Sequence, residues 1–134
     1  MARFEPKSTA PVRERAILVG VDFGRNAEWT LDESMGDLAR LAETDGADVV
    51  LTLTQRLEAP VPRTFIGKGK VEELVSYVHN LDADVVIFDD ELTPSQQSNL
   101  EKIVGEPVKI IDRTALILDI FGVHATTREG RLQV

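Results

Sequence analysis

Residues 83–105 read ADVVIFDDELTPSQQSNLEKIVG, and this stretch decides the fold. Val85, Val86, Ile87 and Phe88 form a short, unbroken apolar run rich in β-branched residues. Such a run suits a strand covered on both faces, as in a parallel sheet. It stops abruptly at Asp89, Asp90 and Glu91. Thr93 then has the chemistry of a helix N-cap, Pro94 suits the first helical position, and Gln96 stands at the capping-box position. Leu100, Ile103 and Val104 give that helix an apolar stripe, and Gly105 predicts its stop. Strand, acidic turn and helix together are the repeating unit of a βαβ protein.

On the N-terminal side, RAILVGVD (15–22) is nearly continuous in apolar residues and predicts a first strand. Residues 22–30 form a loop, and 31–44 an amphipathic helix with Leu31, Met35, Leu38, Ala39 and Ala42 on one face and Gly46 closing it. ADVVLTLT (47–54) predicts a second strand. The alternation in its later half predicts partial exposure or a place near the sheet edge. Residues 55–69 are the longest irregular stretch, holding Pro60, Pro62, Gly67 and Gly69. Val71, Leu74, Val75, Val78 and Leu81 mark a second helix. On the C-terminal side, 108–112 predicts a fourth strand and 113–121 a short, very apolar helix.

Strands and helices alternating in this order predict an α/β fold: a four-stranded parallel sheet, order 2-1-3-4, with helices on both faces. Ligands of such sheets sit beyond the carboxyl ends of the strands, at the switch point between the central pair. Here that edge carries Asp22, Asp89, Asp90 and Arg113. Residues 1–14 read as a flexible tail, 15–122 as the domain, and 123–134 as the start of a truncated helical segment. In that last segment TTRE (126–129) has capping-box spacing, and Leu132 and Val134 would begin a stripe that runs on, as in a fragment of something longer.

At 134 residues the chain is about one domain and can bury roughly two-thirds of its unfolded surface. No apolar run approaches the roughly 20 residues of a membrane span, and the N-terminus lacks the apolar core of a signal peptide. With no cysteines, disulfides, thiolate catalysis and cysteine metal sites are excluded, which fits a cytoplasmic location. Net charge is −8, and residues 16–122 carry nine basic and 20 acidic side chains. An acidic body argues against broad non-specific nucleic-acid binding, but leaves room for one basic loop on a phosphate backbone.

That loop is the first candidate. FIGKGK (65–70) places two glycines beside two lysines at a helix N-terminus. Backbone N–H groups and the helix dipole there suit a phosphate. Arg56, Arg63, Gly67, Lys68, Gly69 and Lys70 are the RNA or phosphate contact candidates. A glycine turn with solvated lysines reads the same residues equally well. Neither a P-loop nor a dinucleotide fingerprint is present.

Asp89, Asp90 and Glu91 with Asp22 have the hard oxygens that suit Mg²⁺. The preferred reading is that carboxylates near a helix N-terminus complement its dipole, with no metal site assigned. Arg113 either pairs with Asp89 or Asp90 across the switch point or sits beside Asp112. His79 and His124 lack metal spacing and read as solvated; Phe23 and Trp29 read as a local apolar plug. A receiver-like phosphoacceptor, with Asp89 modified, Asp22 on Mg²⁺ and Thr114 as switch, is a rival. Against it, Asp22 stands alone beside Phe23 where receivers carry an acidic pair.

Taken together, RAILVGVD (15–22), LDESMGDLARLAETDGADVV (31–50), TFIGKGKVEEL (64–74), DVVIFDDELTPSQQSNLE (84–101), IIDRTALILDIF (110–121) and HATTREGRLQV (124–134) resemble the N-terminal domain of the HflX family of ribosome-associated GTPases. The resemblance spans about residues 15–134. It implies a parallel α/β subdomain, then a helical hairpin and a GTPase domain that this chain does not contain. It implies binding to the large ribosomal subunit and its RNA, and ribosome splitting under stress. GTP and Mg²⁺ are implied for the full-length protein only, and ATP binding is a further possibility for the N-terminal region. The residues matching the family's most recognisable motifs are Gly67, Lys68, Gly69, Lys70, Asp89, Asp90, Pro94, Gln96, Asp112, Arg113, Thr114, Arg128, Glu129 and Gly130. No residue of this chain is assigned a catalytic role.

Overall fold

The computed structural model describes residues 13–24 and 30–122. Its elements run β1 (Glu14–Asp22), α1 (Leu31–Thr44), β2 (Ala47–Arg56), α2 (Lys68–Leu81), β3 (Val85–Phe88), α3 (Pro94–Val104), β4 (Lys109–Asp112) and α4 (Arg113–Ile120). The strands form one sheet in the order β2-β1-β3-β4, every pair parallel. This is the architecture and strand order that the apolar runs and alternating helices predict. The alternation in β2 has its reason in this order: β2 is an edge strand, with Thr52 and Thr54 exposed and Leu53 buried. The pairing of β1 with β2 carries an irregularity between Ala16 and Ile17.

Side chains alternate across the sheet and feed two apolar layers. Ile17, Val19, Val21, Val86, Phe88 and Ile110 pack with Val71, Leu74 and Val78 of α2 and Leu100 and Val104 of α3. Ala16, Leu18, Val85 and Ile87 pack against Met35, Leu38 and Ala42 of α1 and Leu116 of α4. Capping follows side-chain chemistry. Thr30 with Glu33 and Thr93 with Gln96 close reciprocal capping boxes on α1 and α3, and Asp112 caps α4 by accepting from the Ala115 N–H. Among the described helices, α2 alone starts without a side-chain cap, on Gly67.

Gly20 lets α1 approach the central strand closely. A Cβ there would stand 2.4 Å from Met35 Sδ and 3.1 Å from Leu31 Cδ1. Met35 is buried, so its thioether end has to repack within the core to make room. Gly20→Val should therefore destabilise the fold by overpacking, by about 1–3 kcal/mol in urea unfolding.

β1 begins at Glu14, one residue before the expected strand, and Arg13 pairs with Asp48 Oδ1 at 2.8 Å and with the Ala47 carbonyl. The rest of the expected tail, Trp29, and the 123–134 segment with His124, Arg128, Glu129 and Gly130 lie outside the described residues.

Candidate functional site

The carboxyl edge of the sheet gathers the switch-point candidates. β3 ends at Phe88, and the Asp89 N–H donates to the Val19 carbonyl of β1 at 2.8 Å. That bond holds the Asp89 side chain between the two central strands, where it is only 9% exposed. Its Oδ1 accepts from Arg113 Nε at 3.0 Å and Nη2 at 2.6 Å, and its Oδ2 from Ser34 Oγ at 2.6 Å. Arg113 opens α4. It also donates through Nη1 to Asp37 Oδ2 at 2.9 Å and through Nη2 to the Ser34 carbonyl at 3.0 Å. Burial opposes the guanidinium charge, but hydrogen bonds to Asp37 and Asp89 outweigh it and hold the Arg113 pKa above its ordinary value. Of the two partners weighed for Arg113, Asp89 is the one it meets, Nε and Nη2 converging on the single oxygen Oδ1.

The other acidic candidates are put to different uses. Asp22 Oδ1 accepts from the Gly24 N–H at 2.8 Å, turning the chain after β1. Asp112 is buried and bridges two backbones, accepting from Leu92 N–H at 2.9 Å and Ala115 N–H at 3.0 Å. Asp90 is half-buried and Glu91 exposed. Among the described residues, no three His, Cys, Asp or Glu side chains are grouped to hold a metal ion. The Asp89 carboxylate is engaged at both oxygens, which is the geometry of a clamp joining α1, β3 and α4. Ser34 and Asp37, its partners on α1, carry no sequence signal: a polar pair one helical turn apart reads as an ordinary solvated face.

The basic candidates lie around the 57–67 loop. Gln55 Oε1, near the end of β2, accepts the Gly67 N–H at 3.0 Å and so ties the start of α2 to that strand end. Arg56 and Lys68 are thereby held on neighbouring segments, both exposed, and Arg63 is exposed at the loop turn. Gly67 stands close to Gln55, with 3.1 Å between a Cβ built there and Gln55 Nε2. The solvated reading of the two lysines holds for Lys68 alone. Lys70 is 20% exposed and pairs with Glu73 at 3.0 Å. Phe23 packs edge-on against Phe65 (6.1 Å between rings), which packs edge-on against Phe88 (6.2 Å). Phe23 thus takes the apolar-plug role. His79 is exposed.

The opposite edge of the sheet carries a group that spacing does not reveal. Asp45, which ends α1, is hydrogen-bonded to Asp119 in the last turn of α4. Partial burial, then that bond and repulsion from Asp119 and Glu14, raise the Asp45 pKa to about 6, with Lys109 opposing. A raised folded pKa stabilises below the unfolded value of 3.8, and that stabilisation is lost as pH rises through 6. Asp119→Asn removes a carboxylate from the pair, so the decline of Tm between about pH 4 and 6 should flatten.

Residues 32–122 match the family model described as GTP-binding GTPase N-terminal. The chain is 46% identical over 121 residues to GTPase HflX of Flavobacterium psychrophilum, covering 90% of this chain and 29% of that protein. Against GTPase HflX of Caldanaerobacter subterraneus subsp. tengcongensis it is 50% identical, covering 91% and 27%. For Escherichia coli (strain K12) GTPase HflX the identity is 40%, covering 90% and 27%. The chain thus spans under a third of the length of these relatives. In fold it is similar to the crystal structure of an SsGBP and GDP complex, with TM-score 0.60 at 18% identity, covering 89% of this chain and 32% of that one. With the capped βαβα order and the strand order above, these matches place the chain in the GTP-binding GTPase N-terminal family, as the N-terminal domain of HflX.

Proposed function

We propose that this domain is a non-catalytic accessory part of an HflX-like GTP-binding protein, and that it contacts the RNA of the large ribosomal subunit through the 57–67 loop and the start of α2. In this reading the full-length protein works in the cytoplasm, takes part in splitting or rescuing ribosomes under stress, and carries GTP and Mg²⁺ on its GTPase domain, with the helical hairpin between. The observation that supports it is the placement of exposed Arg56, Arg63 and Lys68 around one ordered loop of a chain whose net charge is −8. An acidic body is repelled by phosphate, so contact is restricted to where the cations concentrate. Exposed Lys68, the first residue of α2, adds to the positive end of the helix dipole.

Co-sedimentation of the chain with purified large subunits across a salt series tests this. Binding should weaken steadily as salt rises. Absence of binding at every salt concentration would sink the contact, leaving the domain as a scaffold for hairpin and GTPase.

A second reading, ATP at residues 67–70, has the uncapped α2 N-terminus in its favour. Saturable ATP binding lost in the Lys68→Ala, Lys70→Ala double variant would support it. The receiver-like alternative has to free Asp89 from Arg113 and Ser34 first, so stable labelling of Asp89 by a small phosphodonor is not expected.

A further inference from the structure

The 57–67 loop is held from outside by side-chain amides. Gln96, in the first turn of α3, is only 6% exposed. Its Oε1 accepts the Thr93 N–H at 3.0 Å, which completes the capping box. That fixes which way the amide faces. Its Nε2 then donates to the Val61 carbonyl at 3.1 Å and the Pro62 carbonyl at 3.3 Å. One turn along, Asn99 Nδ2 donates to the Arg63 carbonyl at 3.0 Å. Inside the loop Val61 and Phe65 exchange both backbone bonds, at 3.0 and 2.8 Å, and Thr64 Oγ1 donates to the Ile66 carbonyl at 2.8 Å.

Phe65 sits at φ 68, a conformation that bulky residues avoid. Such a residue persists only where its surroundings over-determine it. Here they do: the Val61 bridge and the rings of Phe23 and Phe88 act on it directly, and the amides of α3 hold Val61, Pro62 and Arg63 just before it. A loop ordered before contact loses little conformational freedom on binding.

We propose that Gln96 is a positioning residue: from α3 it fixes the backbone of the 57–67 loop at Val61 and Pro62, and thereby the direction in which the adjoining Arg63 faces an RNA phosphate. The inference rests on the RNA-contact reading above and adds the element that governs it. It gives the capping-box glutamine a second task, for which the box alone has no need.

Two variants of the 134-residue chain test it. Gln96→Glu keeps an oxygen for Thr93 N–H but turns an acceptor toward two carbonyls. Asn99→Ala removes only the clasp on Arg63. Amide hydrogen exchange at Phe65, whose N–H donates to Val61, should speed by about tenfold in Gln96→Glu, while the amides of β3 stay protected. Affinity for large subunits should fall by about threefold to tenfold, with a smaller loss in Asn99→Ala. Unchanged exchange in both variants overturns the proposal, as does faster exchange with unchanged affinity. A wild-type chain that binds no subunits overturns the RNA contact instead, and the exchange arm alone then decides whether Gln96 fixes the loop.

Discussion

Arg113→Ala should lower the unfolding free energy by about 2–3 kcal/mol, read from the urea midpoint. Removing one partner of a fully buried ion pair costs about 3–5 kcal/mol, because the other charge is left without compensation. Asp89 is close to that limit at 9% exposure, while Arg113 at 24% retains some water, which reduces the figure. The loss extends beyond the pair. The same guanidinium holds Asp37 and the Ser34 carbonyl, so α1 loses its polar ties to Arg113 of α4 and keeps only the Ser34 Oγ bond to Asp89 at the end of β3. Arg113→Lys should recover only part, since an ammonium cannot bridge Asp89, Asp37 and the Ser34 carbonyl in one plane. Combining Arg113→Met with Asp89→Asn should be milder than Arg113→Met alone, because no unpaired buried charge remains. A double variant as unstable as the sum of its parts would show that the pair contributes nothing as a pair.

The fold was legible where local chemistry and global order agree. Val85–Phe88 followed by Thr93, Pro94 and Gln96 encodes strand, turn and capped helix within a dozen residues, and both halves of that capping box are present. The same agreement across levels extends to the edge position of β2, written in its alternating threonines. Side-chain partners from distant segments were not legible. Nothing local in Ser34 and Asp37 marks them as the far wall of a clamp built on Arg113, because the meeting is made by the crossover, not by spacing. The 55–69 stretch shows the same limit from the other side. Its prolines and glycines read as irregular chain, yet Gln55, Gln96 and Asn99 supply the hydrogen bonds a regular element would make for itself. Lys70 next to Lys68 in sequence reads as its equal; the helix turns it toward Glu73 and out of the solvent.

That difference between the lysines selects the variant for the largest functional effect. Reversing Arg56, Arg63 and Lys68 together to glutamate should reduce affinity for large ribosomal subunits by about 10²–10³-fold at moderate salt, and flatten the salt dependence by about two to three ion equivalents. Each of the three is exposed, so each is free to meet a phosphate. Lys70→Glu alone should weaken binding far less, since its ammonium is already neutralised by Glu73 at 3.0 Å. The fold should survive the triple reversal. Lys68 is the first residue of α2, at the positive end of the helix dipole, where a carboxylate is preferred over an ammonium by about 0.3–1 kcal/mol. The triple variant should therefore unfold at the same urea concentration as wild type, or slightly higher, while losing the subunit. Equal loss of stability and binding would mean the loop had collapsed, and would remove the case for a direct phosphate contact. Retained binding with retained stability would move the RNA-facing surface away from this loop altogether.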